Sequence, residues 1–240
     1  MATNDASERW ERLIDVAAEF GVEHPEAVLV GSTVAALYAG HRVSPVADFV
    51  VADLQQRFDE WVTELERDAD WVTARLRPPV LILGRFKGVE TGLRQLRRQR
   101  PLETTAIELP GGRRLRVPTL DEILRIKGWM ALTRNATRDY LDLAALSAQC
   151  GVDAAAQVLA LLDDWYRDVY RPEAGRDVSA ALQLARQLAQ PLPYDLAATE
   201  LAHYKRLDAR WHDWAAVQRQ LSALAAAIAG LLATAAPPAT

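Results

Sequence analysis

The stretch "LVGSTVAALYAGHRVSPVADFVVADL", Leu29 to Leu54, decides how this chain is read. "AVLVG" (Ala27 to Gly31) is a short apolar run ending in glycine, as a buried strand ends where the backbone must turn. "STVAALYAG" is a run of small residues closed by Gly40, which predicts a helix with a glycine stop. "ADFVVADL" then predicts a second strand. Residues two apart on a strand share a face, so Val46, Asp48 and Val50 are expected on one side.

Outward from this unit, "SERWERLIDVAAEF" predicts an opening helix with Ser7 as its cap and Trp10, Leu13, Ile14 and Ala17 on one face. "QQRFDEWVTELERD" predicts an amphipathic helix, and strands follow at "WVTARLR", "VLILGRF", "GVETGLRQLR" and "LETTAIEL". Pro110-Gly111-Gly112 marks a hairpin turn into "RRLRV". From Thr119 the pattern is helical. "TLDEILRIKGWMALTR" opens with a capping box, Thr119 with Glu122. Further helices are expected at "TRDYLDLAALSAQ", "AAAQVLALLDDWYRDVY", "SAALQLARQLA", "LAATELAHY" and "RWHDWAAVQRQLSALAAAIAGLLA". The expected architecture is an α/β (α+β) half with a mixed sheet over 1–118, an all-helical half over 119–235, and a frayed tail at 236–240.

The chain has 240 residues, half of them hydrophobic, enough for one large domain or two small ones. A single cysteine, Cys150, excludes an internal disulfide and suits a reducing, cytoplasmic setting. The N-terminus carries early acids and no apolar run, so it does not read as a signal peptide. "LSALAAAIAGLLATAA" is short for a membrane span and mostly alanine, and is expected to be a packed helix. The net charge of −4 is unevenly spread. Trp71 to Pro118 holds eleven Arg and Lys against three Glu, a net +8, which leaves −12 for the remainder. That asymmetry points to a local anionic partner, or else to arginines that merely solubilise exposed strands; which holds depends on whether they share a side.

The chemistry-bearing residues are few. Gly31-Ser32 sits where a strand feeds a helix, a junction that suits an anion or simply a tight turn. Asp48 is one strand carboxylate; a hard Mg²⁺ site bridging nucleotide phosphates would want a second acid two residues earlier, where Val46 stands. Lys127 falls on the apolar stripe of its helix with Ile123, Leu124, Met130 and Ala131, so it requires an anion, either carboxylate or phosphate. Asp142 is the one acid inside "YLDLAAL" on the next helix; a structural ion pair with Lys127, shared with Arg134 or Arg138, is an even alternative to a site. His24, His41, His203 and His212 lack metal spacing, and the seven tryptophans read as packing.

In this order the pieces resemble a known family. "VLVGSTVAALYAGHRVSPVADFVV" resembles the first motif of the AbiEii/AbiGii-type nucleotidyltransferase toxins: Gly-Gly/Ser, a small-residue helix, then His-Arg-x-Ser-x-Asp-x-Asp. "VPTLDEILRIKGWMALTRNATRDYLDLAAL" resembles the second block, Leu-Glu-x-Leu, a Lys, an Arg, then Arg/Lys-Asp-x-x-Asp-Leu. The two cover about Glu26 to Gln149. The resemblance implies a nucleotidyltransferase fold and transfer of a nucleoside monophosphate from an NTP, with Mg²⁺, to a hydroxyl acceptor such as tRNA or protein. It implies that Gly31 and Ser32 hold the triphosphate, that Asp48 ligates metal, that Lys127 and Arg134 contact nucleotide, and that Asp142 is the third acid. Asp139, Arg42 and Ser44 are further candidates within the motifs. A cognate antitoxin is an implied partner. Val46 departs from the pattern and leaves one of two strand acids, so the other readings are a degenerate relative that binds nucleotide, RNA or a partner without chemistry, and a helical interaction protein that forms a homodimer.

Overall fold

The computed structural model describes residues 2–172 and 178–235; the tail expected at 236–240 lies outside them. The chain forms two compact units, one of Met1–Val34 with Val43–Thr119, the other of Ala35–Arg42 with Leu120–Thr240. The crossing expected at Pro118 falls at Thr119, and Ala35–Arg42 joins the helical unit as a separate excursion.

Unit 1 begins with α1 (Ala2–Glu23). No proline or glycine stands before Ser7 to stop a helix, so α1 starts earlier than expected and Ser7 lies inside it, not at its cap. Strand β1 (Val28–Val30) runs into α2 (Gly31–Ala39), and then come β2 (Val46–Val51), α3 (Phe58–Arg67), β3 (Trp71–Arg77), β4 (Leu81–Phe86) and β5 (Val89–Gln95). These strands make a mixed sheet in the order β1-β2-β5-β4-β3, in which only β2 and β5 run parallel. The hairpin β6 (Thr104–Glu108) and β7 (Arg114–Pro118) is a separate pair, turned by Gly111 and Gly112 at φ +84° and +76°, conformations that glycine alone adopts without strain.

One face of the sheet is the core. Phe49, Ile82, Phe86 and Leu93 are sealed there, and Phe20 of α1 lays its ring 4.7 Å from Phe49 and 5.4 Å from Phe86. Amphipathic α3 adds Phe58, Trp61 and Leu65 to the core. Gly84 has a packing reason: a Cβ there would run into the Trp71 indole on the neighbouring strand.

The opposite face carries Val46, Asp48 and Val50 on β2, Glu90, Gly92 and Arg94 on β5, Leu81, Leu83 and Arg85 on β4, and Arg75 and Arg77 on β3. A register shift between Thr73 and Arg75 brings the two β3 arginines into line with this face. Arg75, Arg77, Arg85 and Arg94, all exposed, therefore share one side, whereas the other seven basic residues of the stretch lie off this face, Arg98 buried and Arg114 and Arg116 on the separate hairpin.

Unit 2 holds α4 (Leu120–Arg134), α5 (Thr137–Cys150), α6 (Val152–Ala160), α7 (Leu162–Tyr166), α8 (Ala180–Ala189) and α9 (Trp214–Ala235). Helix α9 is long and apolar enough to cross a membrane by composition, and it buries Val217, Leu221, Leu224, Ala225 and Ile228 against α5, α6 and α8. The α-helix expected at "LAATELAHY" is instead two 3₁₀ turns, Leu196–Ala198 and Leu201–His203. The cause lies just upstream. The Leu192 carbonyl accepts from the side-chain amide of Asn135, the Tyr194 N–H donates to the Asn135 carbonyl, and the Asp195 carboxylate accepts both the N–H and the hydroxyl of Thr137 at 2.8 Å. These bonds pin the segment to the turn before α5, and Asp195 supplies the cap that Ala136 at the N-cap cannot.

Gly84→Val should destabilise unit 1 by about 1–3 kcal/mol through displacement of the Trp71 ring. The check is a lower urea midpoint with an unchanged slope.

Candidate functional site

In unit 1 the candidates gather on Asp48. Its side chain is 30 % exposed and Nε of Arg94 donates to its Oδ1 at 3.2 Å. Two glycines make the room it occupies. Gly31, at φ +78°, would place a Cβ 3.6 Å from Oδ2, and Gly92, the cross-strand partner of Asp48, would place one 2.8 Å from Oδ1. A side chain at either position would crowd the carboxylate or cover it. Ser32 follows Gly31 in the first turn of α2 and is half-buried, and the next residue, Thr33, anchors that turn by donating its hydroxyl to the Val46 carbonyl at 2.6 Å. Ser44 is nearly buried, with its hydroxyl 3.4 Å from the same carbonyl, and so shapes the entry to β2.

In unit 2 the candidates form one buried charge cluster. Asp142 is fully buried and its carboxylate accepts from His41 Nε2 (2.8 Å), Arg42 Nε (2.8 Å) and NH2 (3.1 Å), and Lys127 Nζ (2.7 Å). Those four contacts equal in number the lone pairs a carboxylate offers, two on each oxygen. The anion that Lys127 requires is thus supplied by the protein, with Asp139 a second one at 3.6 Å. Asp139, also fully buried, is gripped by Arg134 through two parallel bonds of 2.7 and 2.5 Å. Burial alone would raise the Asp142 pKa, but Arg42, Lys127 and the His41 hydrogen bond together hold it well below its ordinary value. Being ionised, Asp142 accepts from His41, so Nε2 carries the proton; Nδ1 is buried with no hydrogen bond. The Arg42 guanidinium also lies 5.3 Å from the Tyr204 ring centroid.

The donors at Asp48 do not suit a resident Mg²⁺. That ion asks for six oxygens in near-octahedral array, usually with more than one carboxylate or with substrate phosphates. Here one carboxylate is available, the side chains before and after it on the face are Val46 and Val50, and its Oδ1 is already held by a guanidinium. Glu90 shares the face, across from Val46, but stands 3.8 Å from Arg85. A divalent ion about 4 Å from Arg94 would meet repulsion of about 4 kcal/mol per unit of charge product at an effective dielectric of 20. Among the described residues no three His, Cys, Asp or Glu side chains group as a metal site.

No family model matches the chain. Over nearly its whole length it superimposes on two Helicobacter pylori structures. JHP933 covers 94 % of this chain and 92 % of its own at a TM-score of 0.52 and 14 % identity. A protein assigned as a nucleotidyltransferase covers 97 % and 98 % at 0.53 and 16 %. The fold is nucleotidyltransferase-like, a mixed five-stranded sheet followed by a helical half. A separate, local likeness joins the chain to much longer proteins. It is 43 % identical over 101 residues to the mycolic acid-containing lipids exporter MmpL11 of Mycolicibacterium smegmatis, and 44 % over 100 residues to the heme uptake protein MmpL11 of Mycobacterium tuberculosis. These stretches are 41 % and 42 % of this chain, which spans about a tenth of the length of those relatives.

On this fold, Gly31, Ser32, Ser44 and Asp48 belong to unit 1, and Arg42, Lys127, Arg134, Asp139 and Asp142 to unit 2. Two partners were not singled out from sequence. Arg94 meets Asp48 only through the parallel β2–β5 register, and His41 meets Asp142 across a hundred residues of chain. Gly92, an isolated glycine within a strand, was the one local signal that something approaches β5 closely.

Asp142→Asn leaves Arg42 and Lys127 buried against a neutral group and should cost about 3–5 kcal/mol. The folded Asp142 pKa lies below the unfolded one, so its contribution is complete above about pH 4 and is lost as pH falls through the folded value. Unfolding measured against pH should therefore show a weaker acid limb in the Asn variant than in the parent.

Proposed function

We propose that this chain binds a nucleoside triphosphate on the Asp48 face and transfers a nucleoside monophosphate from it to a hydroxyl acceptor at a low rate. The observation that carries the reading is the opening left by Gly31 and Gly92 around one half-exposed carboxylate, beside the first turn of α2 on a nucleotidyltransferase fold. In this reading Ser32 and the N–H groups of that turn receive phosphate oxygens, and Arg94 and Arg85 lower the cost of bringing a polyanion to the sheet. Asp48 orients the guanidinium that faces the phosphates. The cluster around Asp142 acts at one remove, by fixing Lys127 and Arg42 within unit 2.

Arg75 and Arg77 lie three strands from β2, about 14 Å at the usual strand spacing, which exceeds the reach of a triphosphate held at Asp48. They suit an acceptor with its own phosphates, an RNA such as tRNA, better than a protein. A toxin-like role with a cognate antitoxin is the biological setting that the sequence motifs support. A specific observation favours a second reading, binding without chemistry: Val46 removes an acid, and Arg94 occupies the remaining one.

The experiment is transfer of label from each of the four NTPs to total RNA and to the protein itself, in the parent and in Val46→Asp with Mg²⁺. Slow labelling by the parent and a gain of about tenfold or more in the variant is the expected result, equal to about 1.4 kcal/mol of barrier. Labelling by neither, with NTP still bound, selects the non-catalytic reading; failure to bind any NTP removes both.

A further inference from the structure

A nucleotide site on a sheet face ordinarily draws its positive charge from a bound divalent ion; here the chain carries that charge itself. Arg94 sits two residues past Gly92 on β5, on the same face as Asp48, and is half-exposed. Its Nε is bonded to Asp48, while its terminal amino groups make no hydrogen bond among the described residues. A guanidinium held by Nε presents those two groups as a planar fork, a geometry that matches phosphate oxygens and stays charged at every working pH. Asp48 is then a positioning residue for a cation fixed in the fold. The next row toward β4 brings Arg85 to the same face, beside Glu90, and Val46 and Val50 leave no further oxygen donors on β2.

Resting on the nucleotide-binding reading above, we infer that the Asp48 face takes up the triphosphate as the metal-free polyanion, with the Arg94 fork standing in for the divalent cation. The consequence runs opposite to the usual dependence. A triphosphate wrapped around Mg²⁺ carries two fewer negative charges and brings a cation toward Arg94, so Mg²⁺ should weaken binding, not support it.

The test is calorimetric titration of the protein with ATP and with inorganic tripolyphosphate, each in EDTA and in millimolar Mg²⁺, for the parent, Arg94→Ala, Arg94→Lys and Val46→Asp, with folding of each variant checked by circular dichroism. For the parent, affinity in EDTA should equal or exceed that in Mg²⁺ for both probes. Arg94→Ala should lose about tenfold in EDTA, and Arg94→Lys, which keeps the charge but not the fork, should fall between. Val46→Asp should reverse the preference toward Mg²⁺, because it restores a second carboxylate to the face. Tighter binding by the parent in Mg²⁺, or an Arg94→Ala variant that binds like the parent in EDTA, overturns the inference while the nucleotide-binding reading stands. No binding of ATP under either condition removes that reading, and the inference with it.

Discussion

The helical unit depends on one buried carboxylate. Asp142 holds a lysine from α4 and the His41-Arg42 pair that ends the Ala35–Arg42 excursion, and it does so with no exposed surface. Three positive side chains, Arg42, Lys127 and Arg134, surround two carboxylates, so the cluster is cationic even with His41 neutral. Burying such charges is costly, and an apolar set of the same volume could be as stable. What the ions add is direction. A carboxylate with four donors fixes each donor's approach, and with it the place of a chain segment 100 residues away in sequence.

The two aspartates that the motifs single out therefore differ in chemical freedom. Asp142 is saturated, and its ionised state is locked in by its neighbours. Asp48 has one donor, an oxygen that faces the Gly31 turn, and access to solvent. A group that must exchange partners during binding or reaction has to be of the second kind, because each bond broken at a saturated, dry site leaves a buried charge unpaired. Under the proposed function, ligand exchange belongs at Asp48, and rigidity at Asp142.

Much of this was legible in the sequence because it is local. The strand-turn-helix at Gly31, the Gly111-Gly112 hairpin and the apolar stripe around Lys127 each follow from residues within one or two turns of chain. The need of Lys127 for an anion could be read from that stripe, but not which anion, since Asp142 reaches it only by the packing of α4 on α5. The arginines showed the same limit. Their number was plain, yet whether they share a side turns on the register of β3, β4 and β5 and on one shift after Thr73, and register is set by pairing across the sheet. The segment after Pro193 failed as a helix for a similar reason: its local propensity was adequate, but bonds to Asn135 and Thr137 bind it first.

Val46 and Arg94 are best understood together. Two strand acids on one face form a site of charge −2, which a divalent ion neutralises. With valine at 46 the same site has charge −1, and the one guanidinium bonded to Asp48 neutralises it without any ion. A single strand acid without the arginine would be a lone carboxylate that repels phosphate; an arginine beside two strand acids and their ion would sit next to a charge of its own sign. The neutral pair avoids both costs, and it leaves Arg75 and Arg77, neither of which has a charged partner among the described residues, to set the sign of the face. On the proposed reading, the unpaired arginines give an approaching anion favourable charge without a metal, so the site does not need the ion around which a two-acid arrangement is built.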